Sequence, residues 1–178
     1  MNEIIESIAD PKCHQEYRES DWALAQNHNE YVLPLSSSQL GIWFAQNIDP
    51  LSLAYNIGQY IEIDGFIDVT LFEKSLRQAV AETESLRLQI TEHAGEPAQI
   101  IGPSPAWSLS LIDFSTKAEP RAAAEAWMNS DLARPIELTR GPLFGYALFK
   151  VSENHFFWYA RYHHIVMDGF GVWLVAPG

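Results

Sequence analysis

Two apolar runs, Leu143 to Val151 and Phe156 to Val166, face each other across the three polar residues Ser152-Glu153-Asn154. Runs of this length, rich in β-branched and aromatic residues and split by a short polar turn, predict a β-hairpin. Polar residues are few in the first run, where Lys150 stands alone, and the second carries Arg161, His163 and His164 towards its end. At 178 residues the chain suits one domain with a real core.

Upstream, helical and extended patterns mix. Tyr31-Val32-Leu33-Pro34-Leu35 opens the ordered part. Ser36 or Ser37 caps a helix in which Leu40, Trp43, Phe44, Asn47 and Ile48 share the spacing of one face, and Asp49-Pro50 ends it. Tyr60 to Gly65 alternates as a strand, and Asp68 caps a helix with Phe72, Leu76, Ala79 and Val80 as its buried stripe. Leu86 to Ile90 is a strand by alternation, followed by a turn at Ala94 to Pro97. Ala98 to Ile101 and Trp107 to Ile112 are further strands, and Pro120 starts a helix through Leu132. Strict βαβ alternation is absent. The expected class is α+β, a mixed β-sheet with packed helices.

Residues 1–30 carry seven acidic side chains against Lys12 and Arg18, with little apolar periodicity. They read as a mobile acidic leader before a folded unit over 31–178. Eleven basic against twenty-three acidic residues give a net charge of -12, which disfavours nucleic acid and anionic membrane as partners. No apolar run is long enough to span a bilayer, and nothing near Met1 resembles a signal peptide core. Cys13 is alone, which fits a reducing cytoplasm.

The hairpin ends in Tyr162-His163-His164-Ile165-Val166-Met167-Asp168-Gly169. If the strand continues to Val166, His163 shares a face with Phe157, Tyr159 and Arg161, whereas His164 lies with Trp158 and Tyr162. Only one imidazole can then address a substrate, and the other bonds structurally. A turn at Gly169 brings Asp168 back towards the pair, to orient an imidazole or to brace the turn against an arginine. The same residues also suit core histidines beside an ordinary Asp-Gly turn. Adjacent strand histidines diverge, so no metal site is expected. His14, His28, His93 and His155 fall in the leader or in turns and read as solvent-exposed.

Three segments in order resemble the signatures of non-ribosomal peptide synthetase condensation domains, within the chloramphenicol acetyltransferase-like superfamily. Ser36 to Trp43 is similar to the opening Ser-x-x-Gln-x-x-x-Trp motif, Glu84 to Arg87 to Glu-x-Leu-Arg, and His163 to Gly169 to His-His-x-x-x-Asp-Gly. Glu82-Thr83 stands where the family usually has Arg-His. The resemblance covers about Tyr31 to Trp173 and leans towards the opening domains of siderophore synthetases, which join an aryl acid to an amino acid.

The resemblance implies a single chloramphenicol acetyltransferase-like lobe and amide-bond formation between carrier-bound acyl and aminoacyl thioesters. No cofactor would bind directly; phosphopantetheine would sit on partner carrier proteins, peptidyl or aryl. His164 would be the general base or the group that holds the amine, and His163 a structural partner. Asp168 would stabilise the loop, Gly169 would give the turn its freedom and offer a backbone N–H to the oxyanion, and Arg87 would be the ionic support. Family members carry a second, C-terminal lobe, so a lobe ending at Gly178 is expected to be inactive alone. Two other readings stand beside this one. The first is a non-catalytic remnant or docking module. The second is another acyltransferase, because His163 to Asp168 also spells His-x-x-x-x-Asp, as in glycerolipid acyltransferases, with His163 as the base.

Overall fold

The computed structural model describes residues 31–168; the leader, Gly169 and the residues after it lie outside the described range. Seven strands and three α-helices follow one another: β1 (Tyr31–Pro34), α1 (Ser37–Ile48), β2 (Asn56–Asp64), α2 (Val69–Glu82), β3 (Leu88–His93), β4 (Glu96–Ile101), β5 (Leu109–Asp113), α3 (Pro120–Leu132), β6 (Phe144–Ser152) and β7 (His155–His163). A 3-10 turn, Glu84–Arg87, leads into β3.

The hairpin lies at the centre of a four-stranded sheet ordered β2-β7-β6-β5. β7 runs antiparallel to both neighbours, and β5 runs parallel to β6, so the sheet is mixed. Parallel neighbours need a crossover, and α3 supplies it. A second, antiparallel sheet has the order β1-β4-β3. Its β3–β4 connection is two residues long with Ala94 at φ 53° and Gly95 at φ 85°. Positive φ at both positions gives the twist that a two-residue hairpin needs.

Both faces of the large sheet are covered. Tyr146, Leu148, Phe156, Trp158 and Tyr162 pack with Leu76 and Val80 of α2 and with Leu88 and Ile90 of β3. On the reverse, Phe149, Phe157 and Tyr159 pack with Ala124 and Met128 of α3. This two-sided burial explains why the two runs lack polar alternation. Gly58 of β2 lets α3 approach closely, since a Cβ there would meet a Leu132 methyl at 3.0 Å.

Three expectations are corrected. Leu86 and Arg87 belong to the 3-10 turn, and β3 starts only at Leu88. In α1 the covered side chains are Leu40, Ile42, Trp43 and Gln46, whereas Phe44 and Ile48 are 57% and 86% exposed. The apolar residues of α1 span more than one face, and the amide of Gln46 buries better because it finds partners. β7 stops at His163, so His164 to Val166 form a turn closed by the Val166 N–H on the His163 carbonyl at 3.1 Å.

Candidate active site

Ser36 caps α1 as expected, and Gln39 completes the capping box. The Gln39 N–H donates to Ser36 Oγ at 3.3 Å, and Gln39 Oε1 accepts from the Ser36 N–H at 2.9 Å. The same Gln39 side chain has a second duty. Its Nε2 donates to Gln99 Oε1 at 3.0 Å and to the Ile165 carbonyl at 3.3 Å. One amide thus ties the start of α1 to β4 and to the turn that holds His164.

A second glutamine fixes the other histidine. His163 is 1% exposed, and its Nδ1 accepts from the Ile165 N–H at 3.2 Å. An accepting Nδ1 puts the ring proton on Nε2, which donates to Gln46 Oε1 at 3.3 Å. Gln46 Nε2 in turn donates to the carbonyls of Asp49, Pro50 and Ser52, each at 3.2 Å. Burial, with His164 beside it, lowers the pKa of His163 to about 4. The ring is neutral at ordinary pH and both its nitrogens are engaged.

His164 stands differently. Its backbone N–H donates to the Tyr55 carbonyl at 2.8 Å, and its side chain is exposed. It lines a pocket of about 490 Å³ with Ser38, Gln39, Ile42, Ser85, Met167 and Asp168. All three signature segments meet there: the start of α1, the Glu84–Arg87 turn and the histidine turn. Of the two imidazoles, only that of His164 can reach a molecule in this pocket.

The condensation-domain family model matches residues 29–175. The chain belongs to the condensation domain family. It is 46% identical over 142 residues to a dimodular nonribosomal peptide synthase of Bacillus subtilis (strain 168), covering 80% of this chain and 6% of that protein. It is 34% identical over 140 residues to enterobactin synthase component F of Escherichia coli (strain K12), covering 78% of this chain and 11% of that protein. The starter condensation domain of rhizomide synthetase RzmA superposes with a TM-score of 0.78 at 47% identity, over 81% of this chain and 36% of that one. A variant of that domain has been solved in complex with C8-CoA and Leu-SNAC.

The other expected residues of this condensation-domain chain are placed as follows. Asp168 is exposed and lines the pocket of His164. Gly169 lies outside the described residues. The Nη1 of Arg87 donates to the Gly102 carbonyl, and among the described residues no carboxylate pairs with it. His14 and His28 also lie outside the described range, and His93 is half-buried. His155 is not free in solvent; its Nδ1 is 2.5 Å from Asp64 and its Nε2 3.3 Å from Glu62.

Ser38, Ser85 and Gln46 were not among the candidates drawn from the sequence. Ser38 directly follows the capping serines, and a buried glutamine leaves no periodic signal. A polar side chain on the core face of a helix, as Gln46 is, was the one sign available.

Proposed function

We propose that this chain provides the histidine-bearing lobe for amide-bond formation in non-ribosomal peptide synthesis. The observation that carries the reading is the division between the histidines: His163 is neutral, buried and doubly bonded, whereas His164 opens into the pocket where the three signature segments meet. The amine of an aminoacyl thioester attacks a donor acyl thioester, forming the C–N bond and releasing the donor's thiol. His164 holds the amine in line and can accept its proton. His163, through the Ile165 N–H, sets the turn that presents His164. Asp168 shapes the loop, and Gly169 allows the turn and offers a backbone N–H to the oxyanion.

In this reading both thioesters hang on phosphopantetheine arms of carrier proteins, and the chain acts in the cytoplasm. The chain covers 36% of the RzmA domain, so the wall facing His164 would come from the rest of a condensation domain, and the 178-residue chain alone would not turn over. The donor would be an acyl group, aryl or aliphatic, since the similar proteins include an enterobactin synthase and a starter domain held with C8-CoA. Burial of His163 stands against the glycerolipid acyltransferase reading, which needs that ring as the base.

The test is carrier-dependent amide formation by the chain joined to the remaining part of such a domain. His164→Ala should lose about a hundredfold or more in rate with little change in stability. His163→Ala should lose stability first. Full activity of His164→Ala, or turnover by the 178-residue chain alone, would overturn the corresponding part. Carrier binding that survives His164→Ala, with no turnover even in the completed domain, would instead support a docking module.

A further inference from the structure

Six arginines fall within the described residues. Five have a carboxylate partner: Arg77 with Glu73, Arg121 with Glu62, Arg134 and Arg161 with Asp131, and Arg140 with Glu137. Arg87 has none among the described residues. Of its five N–H donors, the Gly102 carbonyl takes one, while Nε is buried without an acceptor. A guanidinium partly removed from water with most of its donors unused favours an anion beside it.

Space for one exists. Arg87 lines a cleft of about 290 Å³ with Gln89, Thr139, Arg140, Gly141 and Pro142. Arg140 adds a second cation, and its pairing with Glu137 at 3.2 Å is largely solvent-exposed, the kind of ion pair that exchanges partners at little cost. Gln89 and Thr139 add neutral donors. Glu137 is the nearby anion already paired. The cleft also has a defined relation to the pocket of His164: Ser85 lines that pocket and Arg87 lines this cleft, from one 3-10 turn.

We propose that the cleft between the Glu84–Arg87 turn and the Thr139–Pro142 loop is a phosphate site, which takes the phosphate ester of a pantetheine arm whose thioester lies towards His164. The inference deepens the condensation reading and rests on it. Two guanidinium groups lining one cleft, each a fork of N–H donors, match a phosphate better than they match a thioester or an amide. Coenzyme A and the arm of a carrier protein share this chemistry.

Binding of 4′-phosphopantetheine and of pantetheine to the 178-residue chain, measured by calorimetric titration, tests the site without requiring turnover. The phosphate should tighten binding by about tenfold, the scale of one charge-assisted contact. Arg140→Gln, a substitution at an exposed side chain, should remove most of that difference, and Arg87→Gln should remove it where the variant still folds. Coenzyme A and a phosphopantetheinylated carrier, titrated in the same way, identify the source by which of them loses affinity in Arg140→Gln. Equal binding of the two pantetheine probes, or a preference unchanged by Arg140→Gln, would overturn the proposal. Normal turnover in the completed domain alongside that result would leave the condensation reading standing.

Discussion

β7 has a histidine near each end, and the two are held in opposite ways. At its start, His155 sits between Asp64 and Glu62 of β2, and Arg121 of α3 bonds Glu62 and covers the Phe157 ring. At its end, His163 is enclosed by amides and backbone groups: Gln46, the Ile165 N–H and the tilted ring of Tyr55. The first end tolerates charge because solvent and opposite charges surround it. The second suppresses charge by burial and holds position with directional, neutral hydrogen bonds. In the proposed reaction His164 needs a fixed neighbour whose protonation does not change under it, and the neutral end is where His164 stands.

That contrast can be broken most severely at Gln46. Gln46→Ala removes the acceptor of the His163 N–H and uncaps the carbonyls of Asp49, Pro50 and Ser52. We expect a loss of about 3–4 kcal/mol in denaturant unfolding, since a buried side chain and several satisfied groups go together. A loss below about 1 kcal/mol would show that water replaces the amide without penalty and that the neutral clamp is not structural.

Acid probes the same end next. His163 has a folded-state pKa of about 4 against an ordinary 6.5, so between those values the unfolded chain takes up a proton that the folded chain refuses. Stability should therefore be intact above about pH 6.5 and fall as pH drops towards 4, by up to about 3 kcal/mol from this residue. His163→Gln should flatten that part of the curve. Parallel pH profiles for parent and variant would mean that other groups carry the acid response.

The smallest effect belongs to the charged end. Arg121, chiefly by its hydrogen bond, holds the Glu62 carboxyl below its usual range, yet the whole cluster faces solvent. Glu62→Gln should barely move the thermal midpoint and should reduce its dependence on salt. A large drop in the midpoint would show that both ends of β7 are structural, and the comparison would then fail.

Much of this architecture was legible from residues alone, and the exceptions have physical causes. Ser36, Asp68 and Pro120 carry local chemistry that works wherever the helix packs, so the helix starts were readable. The outward Phe44 and Ile48 were not, because a helix with apolar residues on several sides leaves its orientation to tertiary contacts. The end of β7 was hidden for a related reason. Ile165, Val166 and Met167 are buried in a turn, and an apolar run does not distinguish a buried turn from a continuing strand. His155 looked like an exposed turn residue because its partners, Glu62 and Asp64, come from a distant strand. That the two imidazoles face different surroundings was available from pattern, although the cause is a turn beyond the strand and not two faces of one strand.

The position of β7 between β2 and β6 has a consequence for the birth of the protein. β2 leaves the ribosome early and β7 last among the described strands, yet Asn56 pairs with His163 across the whole interval. Until β7 arrives, β2 has no neighbour in the large sheet, and β5 with β6 forms a separate fragment. The segment bearing the histidines is thus the keystone of the sheet, and closing the sheet and setting His164 in place are one event in synthesis.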